Sequence, residues 1–248
     1  MFSLLRTVDQ SRSEWKIRAR VTRMWVPRGV SDNQFSMNMI LLDNEDYHIE
    51  AFVESEAWND LKHTVFEGNI YDFDGVVWRG SSGKLRPVSS SNCVVLTCST
   101  IVHPVPPEVA TIPRHKFELT DLGDIYDLTI SYPINVLPTH AIDVIGVALD
   151  VEAVRKAETR SGSRFHVRFT LYDGRNFAKV LVFDEKIQQM EPYFENDFIV
   201  EPILILSSMR SMFVQGTLLI VSTNSTCIYV NPNYEAVRRI RRRLLNQW

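Results

Sequence analysis

FSMNMILLD (residues 35–43) and FHVRFTLYD (residues 165–173) are equal in length, open on phenylalanine and close on aspartate. Their offset of about 130 residues suits a duplicated domain and is too long for a solenoid repeat. Upstream of the first copy, WKIRARV (15–21) places Trp15, Ile17, Ala19 and Val21 on one face and Lys16, Arg18 and Arg20 on the other. That period of two is the mark of a half-buried strand. The loop PRGVSDN (27–33) leads into FSMNMILLD, and a turn at 43–46 leads to a third strand, YHIEAFV (47–53). SEAWNDLKHTVF (55–66) begins on Ser55 and has apolar residues at helical spacing, which predicts a short capped helix. NIYDFDGVVW (69–78) and KLRPVSSSNCVVLTCSTIV (84–102) are two further strands on either side of the turn RGSSG (79–83).

Three strands, a helix and two strands is the order of the OB-fold, a five-stranded Greek-key barrel. After the proline-rich stretch HPVPPEVATIPRH (103–115), which continues neither strand nor helix, the order repeats. AIDVIGVALDVEAV (141–154) is strand one, KAETRSGS (156–163) a basic loop, RFHVRFTLYD (164–173) strand two and NFAKVLVF (176–183) strand three. DEKIQQMEPYF (184–194) takes the helix position, and FIVEPILILSS (198–208) with GTLLIVSTNSTCIYV (216–230) supplies strands four and five. The expected fold is therefore all-β with short helices: two tandem OB-fold five-stranded Greek-key barrels plus a C-terminal helix. The expected division is a first barrel at 1–105, a proline-rich connector at 106–117, a second barrel at 118–232 and a basic C-terminal helix at 233–248.

With 45% hydrophobic and 23% charged residues in 248, the chain has the composition of a folded globular protein. No run approaches the roughly 20 apolar residues that span a bilayer, and the start MFSLLRTVDQS is too short in its apolar run for a secretory signal. Cys93, Cys98 and Cys227 form no C-x-x-C pair and are read as small buried apolar residues, so no metal or other cofactor is expected. A net charge of −3 argues against bulk electrostatic gripping of nucleic acid. The positive charges are segregated, however. Lys16, Arg18, Arg20, Arg23 and Arg28 fall in a stretch with no acidic residue, and Arg155, Lys156, Arg160, Arg164, Arg168, Arg175 and Lys179 face only Glu158 and Asp173. Either these are solvated strand faces or they are two basic surfaces for an anion.

The third strands weigh on that choice. In the first copy Ile49, Ala51 and Val53 form the inward set, which turns Phe52 outward with His48, Glu50 and Glu54. In the second, Ala178, Val180 and Val182 point inward and leave Phe183 on the face of Lys179. An exposed phenylalanine forgoes about 1.5–3 kcal/mol of burial. OB-folds bind oligonucleotides on strands two and three, where aromatics stack on bases and neighbouring cations meet phosphates. The bland alternative is a bulge that turns both rings back into the barrel end.

WKIRARVTRMW, FSMNMILLD, IEAFV and DGVVW together resemble the first DNA-binding OB-fold of the replication protein A large subunit, in the form of its plant paralogues. IDVIGV, the basic loop before FTLYDG, and STCIYVNPNYEAVRRIRRRL resemble the second OB-fold and its following helix. The resemblance implies a pair of base-stacking aromatics per domain. Phe52 and Phe183 match the strand-three position, and Phe213 in MRSMFVQG matches the second aromatic of the second domain. The corresponding place in the first domain is near Leu85, which cannot stack as an aromatic would, so the first domain is expected to be the weaker binder. Trp78, at the edge of that turn, either substitutes or packs. The resemblance also assigns phosphate contacts to the loop between strands one and two, held by Arg23 and Arg28 in one copy and by Arg160 and Arg164 in the other. Trp25 in that loop stacks or packs, and Arg210 beside Phe213 is a further candidate. The family's N-terminal protein-recruiting domain and its zinc-bearing C-terminal domain have no counterpart in this sequence, so the chain reads as a short paralogue or fragment.

These readings converge on a nuclear protein that binds single-stranded DNA, with RNA as an open alternative, in replication, repair or recombination. Other replication protein A subunits are potential partners; a membrane or small-molecule substrate is not expected. The competing reading is an OB-fold protein-interaction module of a diverged paralogue. EAVRRIRRRLLNQW (235–248) is helical by pattern, with Val237, Ile240 and Leu244 on one stripe; it is an import signal, a phosphate contact or a solvated helix packed on the barrel. G-x-x-x-x-G-K, H-E-x-x-H and G-x-S-x-G are all absent and the six histidines are scattered, so catalysis is not expected.

Overall fold

The two aspartates that close the matching stretches do the same work. One carboxylate oxygen of Asp43 accepts the N–H groups of Glu45 and Tyr47 at 3.0 and 2.9 Å, and one of Asp173 accepts those of Arg175 and Asn176, both at 2.8 Å. Each thereby fixes the turn from the second strand to the third, the local side-chain-to-backbone bond that favours aspartate in turns. The structure, a computed structural model, describes residues 2–27, 35–80, 85–132, 138–159, 162–192 and 201–246. The chain folds as two compact units, Met1–Phe117 and Glu118–Trp248.

In the first unit β1 (Trp15–Trp25), β2 (Phe35–Leu42) and β3 (His48–Glu54) form an antiparallel meander. The helix α1 (Ser55–Leu61) then carries the chain to β4 (Ile70–Gly80) and β5 (Asn92–Leu96). β5 pairs parallel with β3 and antiparallel with β4, and β4 returns to β1, so the five strands close on themselves. Closure removes the free sheet edges. The inward sets read from alternation hold: Trp15, Ile17, Ala19 and Val21 meet Ile49, Ala51 and Val53 in one core with Tyr71, Phe73, Val94 and Leu96. The predicted helix forms, but its N-cap is Glu54, whose side chain does not cap it, and the Ser55 hydroxyl instead accepts from Ser36 at 2.9 Å. A sixth strand, β6 (Ile101–Val105), which the sequence reading merged into strand five, pairs with β4.

Residues 106–117, expected as a connector, belong to this unit. Ile112 is buried with Leu42, Ile70 and Val105 in a satellite core on the outer side of the barrel. Arg20 ties the segment down, donating to the carbonyls of Ile112 and Pro113 at 2.8 and 3.0 Å. Arg18 forks onto the carboxylate of Asp72 at 2.6 and 2.8 Å, and Lys16 pairs with Asp74 at 2.5 Å. The basic face of β1 is thus largely committed to holding β4 and the 106–117 segment.

The second unit repeats the closure: β7 (Ile142–Leu149) pairs with β9 (Gly162–Tyr172), β9 with β10 (Phe177–Phe183), β10 in parallel with β12 (Thr217–Val221), β12 with β11 (Ile203–Val214), and β11 with β7. These are two OB-fold barrels. Where β7 meets β9, a Cβ on Gly146 would stand 2.5 Å from the carbonyl oxygen of Tyr172, so only glycine allows the approach. The buried Asp143 accepts the N–H groups of Glu118 and of Ser208, at 2.8 and 2.7 Å; Ser208 stands at a positive φ where β11 slips register against β7.

Several elements of this unit differ from the sequence expectation. The basic loop 156–163 is largely β8 (Arg155–Thr159), hairpinned to β9. Strand four does not stop at Ser208 but runs on to Val214. Strand five is divided into β12 and β13 (Cys227–Val230), the latter paired with β11. A short helix, α2 (Ile125–Ile130), precedes β7, and the helix position after β10 is filled by the four-residue α3 (Glu185–Gln188). The C-terminal helix, α4 (Glu235–Leu245), buries Ala236, Val237 and Ile240 and lies against β7 and β11.

Candidate nucleic-acid interface

A bulge in β1 decides where the first barrel's loop residues go. Val21 pairs with Leu41 and Arg23 with Ile40, so Thr22 is the extra residue and Arg23 moves onto the outer face. There it is only 5% exposed, and its charge is felt by His115, whose pKa is held down first by burial and then by Arg114, Arg20 and Arg23. Arg23 is therefore a buried strand residue and not the open-loop phosphate ligand expected of it. Arg28 and Arg160 lie outside the described residues.

Beyond the bulge, Trp25 pairs with Asn38 and Asn38 with Phe52, which sets these three side by side in one outward row. The Phe52 ring is half-buried, tilted by 42° against Phe35 at 5.2 Å. The Arg79 guanidinium stands 5.0 Å from both ring centroids. Arg79 arrives because Trp78, its neighbour, turns inward: Trp78 packs against the barrel core and donates its indole N–H to Asn92 at 3.3 Å. Of the two readings of Trp78, packing is the one the structure takes. Next to this cluster Asn38 donates to the buried carboxylate of Glu50 at 3.1 Å, and burial, followed by Glu50, pushes the Cys93 thiol up to about 12. Leu85 is half-buried.

The second barrel presents a more basic face. Register places Arg164, His166, Arg168, Thr170 and Tyr172 outward on β9, beside Phe183, Leu181, Lys179 and Phe177 on β10. Phe183 is half-buried, with the Arg164 guanidinium 4.3 Å from its ring centroid. Asp184 pins that guanidinium, accepting its Nε–H at 2.7 Å and the Phe165 N–H at 3.0 Å. His166 tilts at 52° to the Phe183 ring at 6.0 Å, and its pKa is lowered by burial and then by Arg168 and Arg155. Lys179 and Arg168 are exposed. Arg210 pairs with Val221 and Val221 with Leu181, which brings Arg210 to the same face. Burial depresses its pKa, and its Nε has no hydrogen-bond partner among the described residues.

Phe213 stands apart from that face. It continues the inward set of Met209 and Ser211 to the tip of the β11–β12 hairpin, where it is 40% exposed and meets Tyr126 of α2 edge-on at 5.8 Å and 89°. Arg79 and Phe35 beside Phe52, and Tyr126 beside the separate Phe213, are neighbours of candidate residues that the sequence pattern does not place there. Each is brought in by tertiary register, and the only local signal was Tyr126 as an aromatic in a polar segment.

The two strand-three phenylalanines therefore share an arrangement: an outward ring under a guanidinium. In the first barrel the arginine comes from β4, in the second from β9. A guanidinium held against an aromatic face offers a planar cation for stacking and a charge for phosphate.

Residues 6–127 match the family model described as a domain of unknown function, DUF223. No curated protein matches the chain. Among solved structures, a chain of a replication protein A heterotrimer bound to ssDNA is similar over 99% of this chain and 55% of its own, with a TM-score of 0.65 and 17% identity. This chain thus spans about half the length of that relative. The p202 HIN1 domain in complex with 12-mer dsDNA follows at TM-score 0.48 and 14% identity, covering 90% of this chain and 97% of its own. Schizosaccharomyces pombe Pot1pC bound to ssDNA gives 0.33 and 14%, over 44% and 88%. At such identities the first likeness establishes the fold, and the chain is a tandem of two OB-fold barrels.

Proposed function

We propose that this chain binds single-stranded nucleic acid, single-stranded DNA in the first instance, on the outer faces of strands two and three of its barrels. The observation that carries the reading is the recurrence of a guanidinium-covered phenylalanine at the same strand of both copies, Phe52 under Arg79 and Phe183 under Arg164. Bases stack on such rings and planes whatever their identity, so binding is sequence-tolerant. Lys179, Arg168 and the under-partnered Arg210 supply phosphate contacts on the second barrel. The sequence resemblance points to a role of replication protein A type in replication, repair or recombination, with the nucleus as its place; the structural likeness to a replication protein A chain supports the shared barrel fold on which that role rests.

The second barrel is the stronger binder. On the first, Glu50 lies on the strand-three face close to Phe52, and a carboxylate there opposes a phosphate backbone. That feature favours a protein-docking role for the first barrel alone. The test is the Phe52→Ala, Phe183→Ala double variant titrated with oligo-dT: at about 1–3 kcal/mol per stacked base, affinity should fall at least tenfold. Unchanged affinity would sink the reading.

A further inference from the structure

The strand face that carries Phe183 has a second aromatic pair at its other end. Phe177, the first residue of β10, lies opposite Tyr172, the last of β9; the rings stack at 4.3 Å with 15° between planes. Phe177 is 63% exposed, which forgoes about 1.5–3 kcal/mol of burial at a site where the fold asks for no ring. Position is set from beneath. Leu171 and Ala178, the neighbours that point inward, fill the core, so parity sends Tyr172 and Phe177 outward. Asp173 and the positive-φ Gly174 hold the turn between them rigid.

Three cations surround the pair, against two carboxylates, Asp173, 3.9 Å from Arg243, and Asp121, which accepts from Asn176 at 3.4 Å. Arg175 is exposed in the turn, Lys179 follows on the same face of β10, and Arg243 of α4 donates to the Asp173 carbonyl at 3.0 Å, which draws the arginine-rich helix against the hairpin. Exposed stacked rings among cations complement a nucleic-acid strand, whereas the cations would be desolvated against an apolar protein surface and repelled by a basic one.

We infer that Tyr172 and Phe177 form a second base-stacking platform, so that one single strand runs along β10 from Phe183 past Lys179 to Phe177. This rests on the proposed function of the Phe183 face and extends it. Six residues of strand span roughly 20 Å. At about 3.4 Å per stacked nucleotide that distance takes about six bases, within the ~4–16 nucleotides of one OB fold.

The test uses the full chain and fluorescein-labelled oligo-dT of increasing length, with wild type, Phe177→Ala, Phe177→Trp and Phe183→Ala compared, each checked by thermal melting. Phe183→Ala should weaken binding at every length. Phe177→Ala should weaken it roughly 5- to 150-fold on long oligomers and leave the shortest that bind unaffected, with Phe177→Trp restoring wild-type affinity. If Phe183→Ala weakens binding and Phe177→Ala changes nothing at any length, the platform is wrong and the Phe183 site stands. A Phe177→Ala loss of equal size on the shortest oligomers, or one that Phe177→Trp does not repair, also overturns the platform. If neither alanine variant matters, the proposed function itself fails, and the platform with it.

Discussion

Replacing Phe183 with alanine removes a ring whose two faces have separate duties. One side rests under Arg164 at 4.3 Å, a contact worth about 0.5–1 kcal/mol at a partly exposed site. Arg164 stays pinned by Asp184 without it. The barrel core beneath is built from Val180 and Val182, which are untouched. The fold should therefore lose about 1 kcal/mol, or roughly 3–5 °C in Tm for a unit of this size. Binding should lose far more: a stacked base contributes about 1–3 kcal/mol, so Kd for oligo-dT should rise about 5- to 150-fold. Fluorescence anisotropy at fixed salt, beside a thermal melt of the same sample, separates the two effects. Phe183→Trp keeps a larger stacking surface and should bind at least as tightly as wild type. An unchanged Kd for Phe183→Ala with an intact melt would refute the stacking role, and so would a loss of binding that merely tracks unfolding.

Three further outcomes follow from the geometry. Gly146→Ala forces a methyl to within 2.5 Å of the Tyr172 carbonyl and should cost about 1–3 kcal/mol, roughly 4–12 °C in the melt of the second barrel; an unchanged melt would contradict the β7–β9 contact. His115 and His166 have pKa values lowered by burial, so the unfolded chain takes the proton first. Stability should therefore be complete above the ordinary value of 6.5 and fall as pH drops below it, a fall in urea midpoint between pH 7.5 and 5.5 that His115→Gln with His166→Gln should flatten. Cys98 is exposed and Cys227 half-buried, against the expectation of three buried cysteines; desolvation and the hydrogen bond it donates to Glu56 raise the Cys98 thiol, and burial pushes the enclosed Cys93 thiol up to about 12. Iodoacetamide at pH 8 should alkylate Cys98 in the native protein and Cys93 only after denaturation, as read by peptide mass spectrometry.

Much of this was legible in residue pattern. Strict alternation in WKIRARV placed the first core correctly, because a closed barrel buries one face of every strand. The shared terminal aspartates pointed to the same turn in both copies, and the outward parity of Phe52 and Phe183 was right. What alternation cannot show is an extra residue. The bulge at Thr22 changed where Arg23 points, and segment 106–117 then covered that side of the barrel. No apolar period marks β8, because Arg155–Thr159 is a ribbon with little to bury, and its sequence has the pattern of a loop. Arg79 over Phe52 and Tyr126 against Phe213 are long-range meetings that no local window contains. The same holds for Trp78, whose inward turn is set by the pairing of β4 with β5.

The most direct measurement is a titration of fluorescein-labelled oligo-dT with the full chain at about 50 and 200 mM salt, repeated with a duplex of the same length as competitor. A strand that meets several cations on the second barrel should show log affinity falling with log salt at a slope of about −2 or steeper, with the duplex a poor competitor. No binding at either salt, a flat slope, or duplex competing as well as single strand would contradict a single-strand-binding tandem of OB-folds.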